Sequence, residues 1–150
     1  MFDSKRLTII AGPCSLENEE MCFQVAEFAT KVTAELGIDY IFKGSFDKAN
    51  RTSSQSFRGN GMEHGLSILS LIRKEFNVPV LTDIHETCQV ETVAKTVDIL
   101  QIPAYLCRQT SLIEAAVKAI DKVDNISSAL NIKKGQFLAP WDTEMVVNKA

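Results

Sequence analysis

Residues 39–61 read DYIFKGSFDKANRTSSQSFRGNG. Asp39 to Phe42 form an apolar run of strand length, and a polar loop follows it before a helical pattern begins. Lys43, Lys48, Arg51 and Arg58 lie in that one loop, separated by Ser45, Asn50, Thr52, Ser53, Ser54 and Ser56, and Gly59 and Gly61 close it. Guanidinium groups grip phosphate oxygens in pairs, ammonium groups act as compact point charges, and Asn, Ser and Thr match sugar hydroxyls. The loop therefore suits a phosphorylated, polyhydroxylated ligand. The other reading is a solvated basic loop, and the residues alone weigh the two about evenly.

The same strand–loop–helix unit recurs on either side. Leu7 to Ala11 predicts a fully buried strand, stopped by Gly12-Pro13, with Cys14 just past its end. Glu17, Glu19 and Glu20 fall in a first helical turn, and Met21, Val25, Phe28, Val32 and Leu36 give the stripe, with Gly37 as its stop. Leu66, Leu69, Ile72 and Phe76 mark a second helix. Val78 to Thr82 is a third strand, left through Asp83-Ile84-His85-Glu86. Val90, Val93, Ala94 and Val97 predict a helix capped by Thr87, and Asp98 to Ile102 a fourth strand ended by Pro103. Ser111 with Glu114 has capping-box spacing and opens a helix with stripe Ile113, Val117, Ile120 and Val123. Ala129 to Ile132 is a fifth strand, left through Lys133-Lys134-Gly135-Gln136, and Trp141, Met145 and Val146 begin a fifth helix.

Continuous apolar strands alternating with helices predict an α/β fold with a parallel sheet. In such arrays the strand C-termini face one mouth where ligands bind. Cys14, Lys43, Asp83, His85, Gln101, Lys133 and Gln136 all sit at or after strand ends.

The chain has 150 residues, 45% hydrophobic and 23% charged, an ordinary composition for one domain. A net charge of −3 gives no global basic field for nucleic acid. No apolar run reaches the roughly 20 residues of a membrane span, and the N-terminus lacks the apolar region of a signal peptide. Four cysteines without a C-x-x-C pair are expected to be reduced, in the cytoplasm.

Each candidate has a plainer alternative. Cys14 is a metal ligand or nucleophile, or else a small buried hydrophobe. Asp83 and His85 share a face of an extended segment, so Asp83 could orient His85, which could equally be a structural histidine. Lys43 and Lys133 at strand ends call for an anion. Gln101, inside an apolar strand, is a buried amide that needs partners, and packing glue is its equally weighted plainer reading. Arg108 precedes a helix start and suits phosphate there, or pairs with Glu114.

Six strings carry a resemblance: AGPCSLE at 11–17, FKGSFDKANRTS at 42–53, SFRGNG at 56–61, TDIHE at 82–86, LQIPAYLCRQTSL at 100–112 and NIKKGQFLAPWD at 131–142. Together they resemble the 3-deoxy-D-manno-octulosonate 8-phosphate synthase family, in its order, from about residue 7 onward. The alternative is the 3-deoxy-D-arabino-heptulosonate 7-phosphate synthase family, which carries a KPRTS-type string where this chain has KANRTS. The resemblance implies a (β/α)8 TIM barrel, of which residues 1–150 would be a partial synthase domain covering about the first five β/α units. It implies condensation of phosphoenolpyruvate with D-arabinose 5-phosphate, in lipopolysaccharide core biosynthesis, usually in a homotetramer.

By match to the motifs, Lys43, Lys48, Gln101, Arg108, Lys133 and Gln136 would surround phosphoenolpyruvate. Asn50, Arg51 and Thr52 would take the arabinose phosphate. Asp83 and His85, with Lys48, would form the reacting centre. Cys in AGPC marks the metal-dependent members, so Cys14 would bind a divalent metal ion. The chain departs from the pattern at Gly44 (usually Ser or Ala), at Asn60 (usually Pro or His), at Ser111 (usually Asp) and in a longer connection over residues 119–129. A whole barrel of this kind needs ~250 residues, and the family's further metal ligands lie in its second half. The expectation is a truncated product, inactive alone.

Overall fold

The computed structural model describes residues 6–122 and 129–150. The chain divides into two units, one up to Thr82 and one from Asp83. Among the described residues, no helix is long and apolar enough to cross a membrane.

In the first unit, strand β1 (Thr8–Ala11) pairs in parallel with β2 (Asp39–Lys43), in register from Thr8 beside Asp39 to Ala11 beside Phe42. Strand β3 (Val80–Asp83) runs along the other side of β2, with Phe42 beside Val80 and Lys43 beside Leu81. It starts two residues later than the apolar pattern predicts, because Pro79 has no N–H to give a ladder; its carbonyl accepts from Phe42 N–H at 2.9 Å. Helix α1 (Glu19–Glu35) begins at Asn18, whose Oδ1 accepts from Met21 N–H at 2.8 Å, so Glu17 lies outside the first turn. It ends at Gly37, whose φ of +66° is the left-handed turn the sequence predicts. Helix α2 (Met62–Phe76) buries Leu66, Ile68, Leu69 and Ile72. Phe23 and Phe76 join the two helices edge to face, ring centres 5.6 Å apart.

Two further expectations fail in this unit. Strand β1 is half-exposed, not buried: among the described residues of the unit only β2 pairs with it, and Ile10 is 40% exposed. Helix α1 is rotated from its predicted stripe. It buries the small side chains Cys22, Ala26 and Thr33 and leaves Phe28 and Leu36 exposed. Small residues let the helix axis approach its neighbours closely, so the large ones are turned to the rim.

In the second unit, β4 (Ile99–Ile102) pairs in parallel with β5 (Ala129–Ile132), with Gln101 beside Asn131. The exit of β3 runs along β4, where Ile84 N–H donates to the Gln101 carbonyl at 2.9 Å. Helix α3 (Val90–Ala94) follows a 3-10 turn over Thr87–Gln89, so Thr87 is not its cap. Gln89 Oε1 instead accepts from His85 N–H at 2.9 Å and Glu86 N–H at 3.3 Å. Helix α4 (Thr110–Lys122) starts earlier than the Ser111–Glu114 pattern predicts: the Gln109 carbonyl already accepts from Leu112 and Ile113, which puts Ser111 inside the first turn. The helix buries Leu112, Ile113, Ala116 and Ala119. Val123 and most of the long 119–129 connection lie outside the described residues. Helix α5 (Thr143–Val147) buries Val146 but leaves Trp141, before it, and Met145 exposed.

A Cβ on Gly12 would lie 2.0 Å from the Lys43 carbonyl oxygen, a backbone atom that cannot swing aside. Gly12→Ala should therefore cost about 1–3 kcal/mol or more, read as a lower urea midpoint. Burial pushes the Tyr40 phenol, which donates to the Ala11 carbonyl at 3.1 Å, up to about 12 from 10.0. Burial, helped by the Glu17 charge, pushes the Cys22 thiol up to about 11 from 9.0. The folded chain holds both protons more tightly than the unfolded one, so this stability is whole below about pH 9 and is lost as pH rises through these values. Urea midpoints should fall from pH 9 upward, with Cys22→Ala and Tyr40→Phe each flattening their part of the decline.

Candidate active site

The polar loop after β2 is built around Ser45. Lys43 is the last residue of β2, and two residues on the chain meets the segment leaving β1: Ser15 and Ser45 form a parallel bridge, with Leu16 N–H donating to the Ser45 carbonyl at 3.1 Å. Ser45 is fully buried. Its Oγ accepts from Lys48 Nζ at 2.9 Å and, more weakly, from Lys43 Nζ at 3.5 Å. Two ammonium groups thus converge on one hydroxyl, an arrangement that favours a shared anion beside it.

The rest of the loop is tied into place. Lys48 N–H donates to the Arg58 carbonyl at 2.7 Å, and Asn60 Nδ2 to the Glu17 carbonyl at 2.6 Å. Gly59, at φ +139°, lies so close to the Phe46 carbonyl that a Cβ would be 2.0 Å from it. Arg58 is spent within the loop: its Nε donates to Asp47 Oδ1 at 2.9 Å and its Nη2 bonds the other carboxylate oxygen. The four cations of the loop are therefore not equivalent. Arg51 Nε donates to the Phe57 carbonyl at 3.1 Å, and Asn50, Arg51 and Thr52 are all exposed.

Cys14 is exposed, so it is not the small buried hydrophobe that was its plainer reading. It offers one thiol. Among the described residues, no group of three or more His, Cys, Asp and Glu could hold a metal ion. The described residues thus do not make a metal centre by themselves.

In the second unit a chain of amides crosses the strand ends. Gln101, 2% exposed, donates from Nε2 to Asp83 Oδ1, and its Oε1 accepts from Asn131 Nδ2 at 2.7 Å. The buried amide has partners on both sides, and the carboxylate it holds is itself buried. His85 follows on the half-buried exit of β3. Arg108 is exposed just before α4. Lys133 is fixed by its N–H to the Ile102 carbonyl at 3.1 Å, which leaves its side chain exposed, as is Gln136. Lys134 instead braces its own loop, donating to the Gly135 and Leu138 carbonyls at 3.0 and 2.9 Å.

The structure thus brings Lys43 together with Lys48, and Asp83 with Gln101. Sequence reasoning missed Ser45 as the meeting point and Asn131 as the outer partner. Asn131 left a signal: a polar residue in an apolar strand, in register with Gln101. Asn131→Ala should cost about 1–3 kcal/mol by stranding the buried Gln101 oxygen. Gln101→Leu with Asn131→Leu should cost less than the sum of the two single changes in urea unfolding, since the double variant removes both polar partners together.

A sequence profile described as the DAHP synthetase I family matches residues 3–150. The chain is 53% identical over 145 residues to a 2-dehydro-3-deoxyphosphooctonate aldolase of Fusobacterium nucleatum, covering 97% of this chain and 50% of that protein. It is 53% identical over 147 residues to a protein of the same name from Synechococcus, covering 98% and 49%. A third, from Francisella tularensis, is 49% identical over 148 residues, covering 99% and 51%. The chain spans about half the length of the curated relatives it matches. Their name bears out the resemblance carried by AGPCSLE and KANRTS. Parallel strands alternating with helices fit part of a (β/α) barrel. With a profile match over nearly its whole length and half-identical relatives across it, this chain belongs to the DAHP synthetase I family.

Proposed function

We propose that these residues belong to a site that condenses phosphoenolpyruvate with D-arabinose 5-phosphate, giving 3-deoxy-D-manno-octulosonate 8-phosphate and inorganic phosphate. The observation that carries this reading is the convergence of Lys43 and Lys48 on buried Ser45, inside the KGSFDKANRTS string. In the reaction, C3 of phosphoenolpyruvate attacks the aldehyde carbon and a carbon–carbon bond forms. The aldehyde oxygen takes a proton and becomes a hydroxyl. Water adds at C2, and the C2–O bond to phosphate breaks as phosphate leaves and the C2 ketone forms.

Two phosphates and a carboxylate must be gathered, and their mutual repulsion has to be offset by fixed cations. In this reading Lys43 and Lys48 hold one anionic group of phosphoenolpyruvate, with Lys48 close to the reacting carbons. Gln101, Arg108, Lys133 and Gln136 contact the same substrate. Asn50, Arg51 and Thr52 take the sugar phosphate and its hydroxyls, for which their exposure leaves room. Asp83 and His85 serve the proton transfers, with Gln101 fixing the carboxylate. Cys14 is proposed as one ligand of a divalent metal ion. The same reading places the enzyme in the cytoplasm, in lipopolysaccharide core synthesis, as a homotetramer.

KANRTS, where the seven-carbon synthases carry a KPRTS-type string, favours arabinose 5-phosphate over erythrose 4-phosphate. The test is phosphate release from phosphoenolpyruvate by the protein that carries these residues. Arabinose 5-phosphate should support turnover, erythrose 4-phosphate should not, and Lys48→Ala should lower kcat/KM about a hundredfold or more. Turnover with erythrose 4-phosphate alone would sink the assignment. The 150 residues assayed by themselves are expected to give no turnover.

A further inference from the structure

Ser15 is 2% exposed, and its Oγ is buried with no hydrogen-bond partner. A hydroxyl in that state has lost its water and gained nothing in return, so such groups are rare and call for a reason. Its position supplies one. Ser15 and Ser45 are partners in a parallel bridge, and bridge partners project their side chains to the same face. The neighbouring pair settles which face that is. A Cβ on Gly44 would run into Leu16 Cδ2 at 2.3 Å, so Gly44 and Leu16 share the opposite face, toward Gly65 of α2. The Ser15 side chain therefore projects to the same face as that of Ser45, the face where Lys43 and Lys48 converge.

We propose that Ser15 is a further binding residue of the lysine site, donating its hydroxyl proton to an oxygen of the anion that Lys43 and Lys48 hold. The inference rests on the reading of the lysine pair as a substrate-anion site and adds a neutral donor to it. Lysines supply charge without a fixed direction; a buried hydroxyl with one open donor adds direction. The chemical class recognised is an oxyanion, either the carboxylate or the phosphate of an enol phosphate acid.

The role also makes an unusual demand on the ligand-free protein. A serine kept for packing should leave a hole or lose a bond when truncated. A serine kept for its ligand should cost nothing to remove until the ligand arrives. Ser15→Ala should unfold at the same temperature as the parent, or a higher one, without ligand. Its Kd for phosphoenolpyruvate, by calorimetry, should rise roughly tenfold or more, the usual size for a lost hydrogen bond to a charged group. Titration with inorganic phosphate and with pyruvate separates the two sources: the anion whose affinity falls in Ser15→Ala is the one the hydroxyl touches. Unchanged affinity for all three ligands would overturn the proposal, as would a lower melting temperature with affinity intact, the result for a serine bonded to a structural water. Lys48→Ala is the control on the underlying reading. If it weakens binding and Ser15→Ala does not, only the role of Ser15 fails; if neither variant matters, the lysine site itself is wrong.

Discussion

Everything in the first unit's candidate site depends on how closely the segment leaving β1 lies against the end of β2. Parallel pairing carries the two strands side by side to Ala11 and Phe42, and the contact does not stop where the ladder does. Gly12 rests on the Lys43 carbonyl, at a distance no side chain permits, and Ser15 and Ser45 pair again further on. This second pairing buries Ser45 and gives the two lysines a fixed oxygen to meet on. With even a methyl group at Gly12 the segment would have to lift, and the bridge that orders the loop would be pulled apart.

The two units solve different electrostatic problems with different chemistry. Around Ser45 the polar groups are cationic, and the loop sorts them by use. Arg58 is matched by Asp47 within the loop, a surface pair of small energetic worth that serves mainly to hold shape. Lys43 and Lys48 are directed inward to one hydroxyl. Around Gln101 the groups are neutral amides holding a single carboxylate. An amide can donate on one side and accept on the other, so Asp83, Gln101 and Asn131 form a directional chain across the strand ends. The first arrangement is suited to gathering an anion. The second is suited to fixing where a carboxylate points.

Much of this was legible in the sequence because strands and helices announce themselves through local chemistry. Apolar runs ended by Gly12-Pro13 and Pro103 gave strands to within a residue or two, and Gly37 marked a helix end through its left-handed turn. What failed required knowledge of neighbours. The buried face of α1 is set by how near its helix lies to the strands, which the period of Phe28 and Leu36 does not encode. The exposure of β1 depends on what flanks it, which an apolar run cannot state. Ser111 has cap chemistry, but Gln109 already closes the first turn of α4. In the site, Lys43, Lys48 and Gln101 were visible as charge or polarity at strand ends. Asn131 became meaningful only once register set it beside Gln101.

Two of the departures from the family pattern, Gly44 and Asn60, lie against the same contact. Gly44 stands where the resemblance leads one to expect Ser or Ala, and the space a Cβ would fill is taken by the Leu16 side chain. Asn60 stands where Pro or His is usual, and its amide donates to the Glu17 carbonyl. Both positions are in the loop after β2, and both touch the short stretch from Leu16 to Glu17. The two residues therefore serve one local arrangement: Leu16 pressed against the bare backbone at Gly44, and the following carbonyl caught by Asn60. Ser15, immediately before them, keeps its bridge to Ser45. Gly44 and Leu16 thus fit each other on the face turned away from the lysines, while Ser15 and Ser45 share the other.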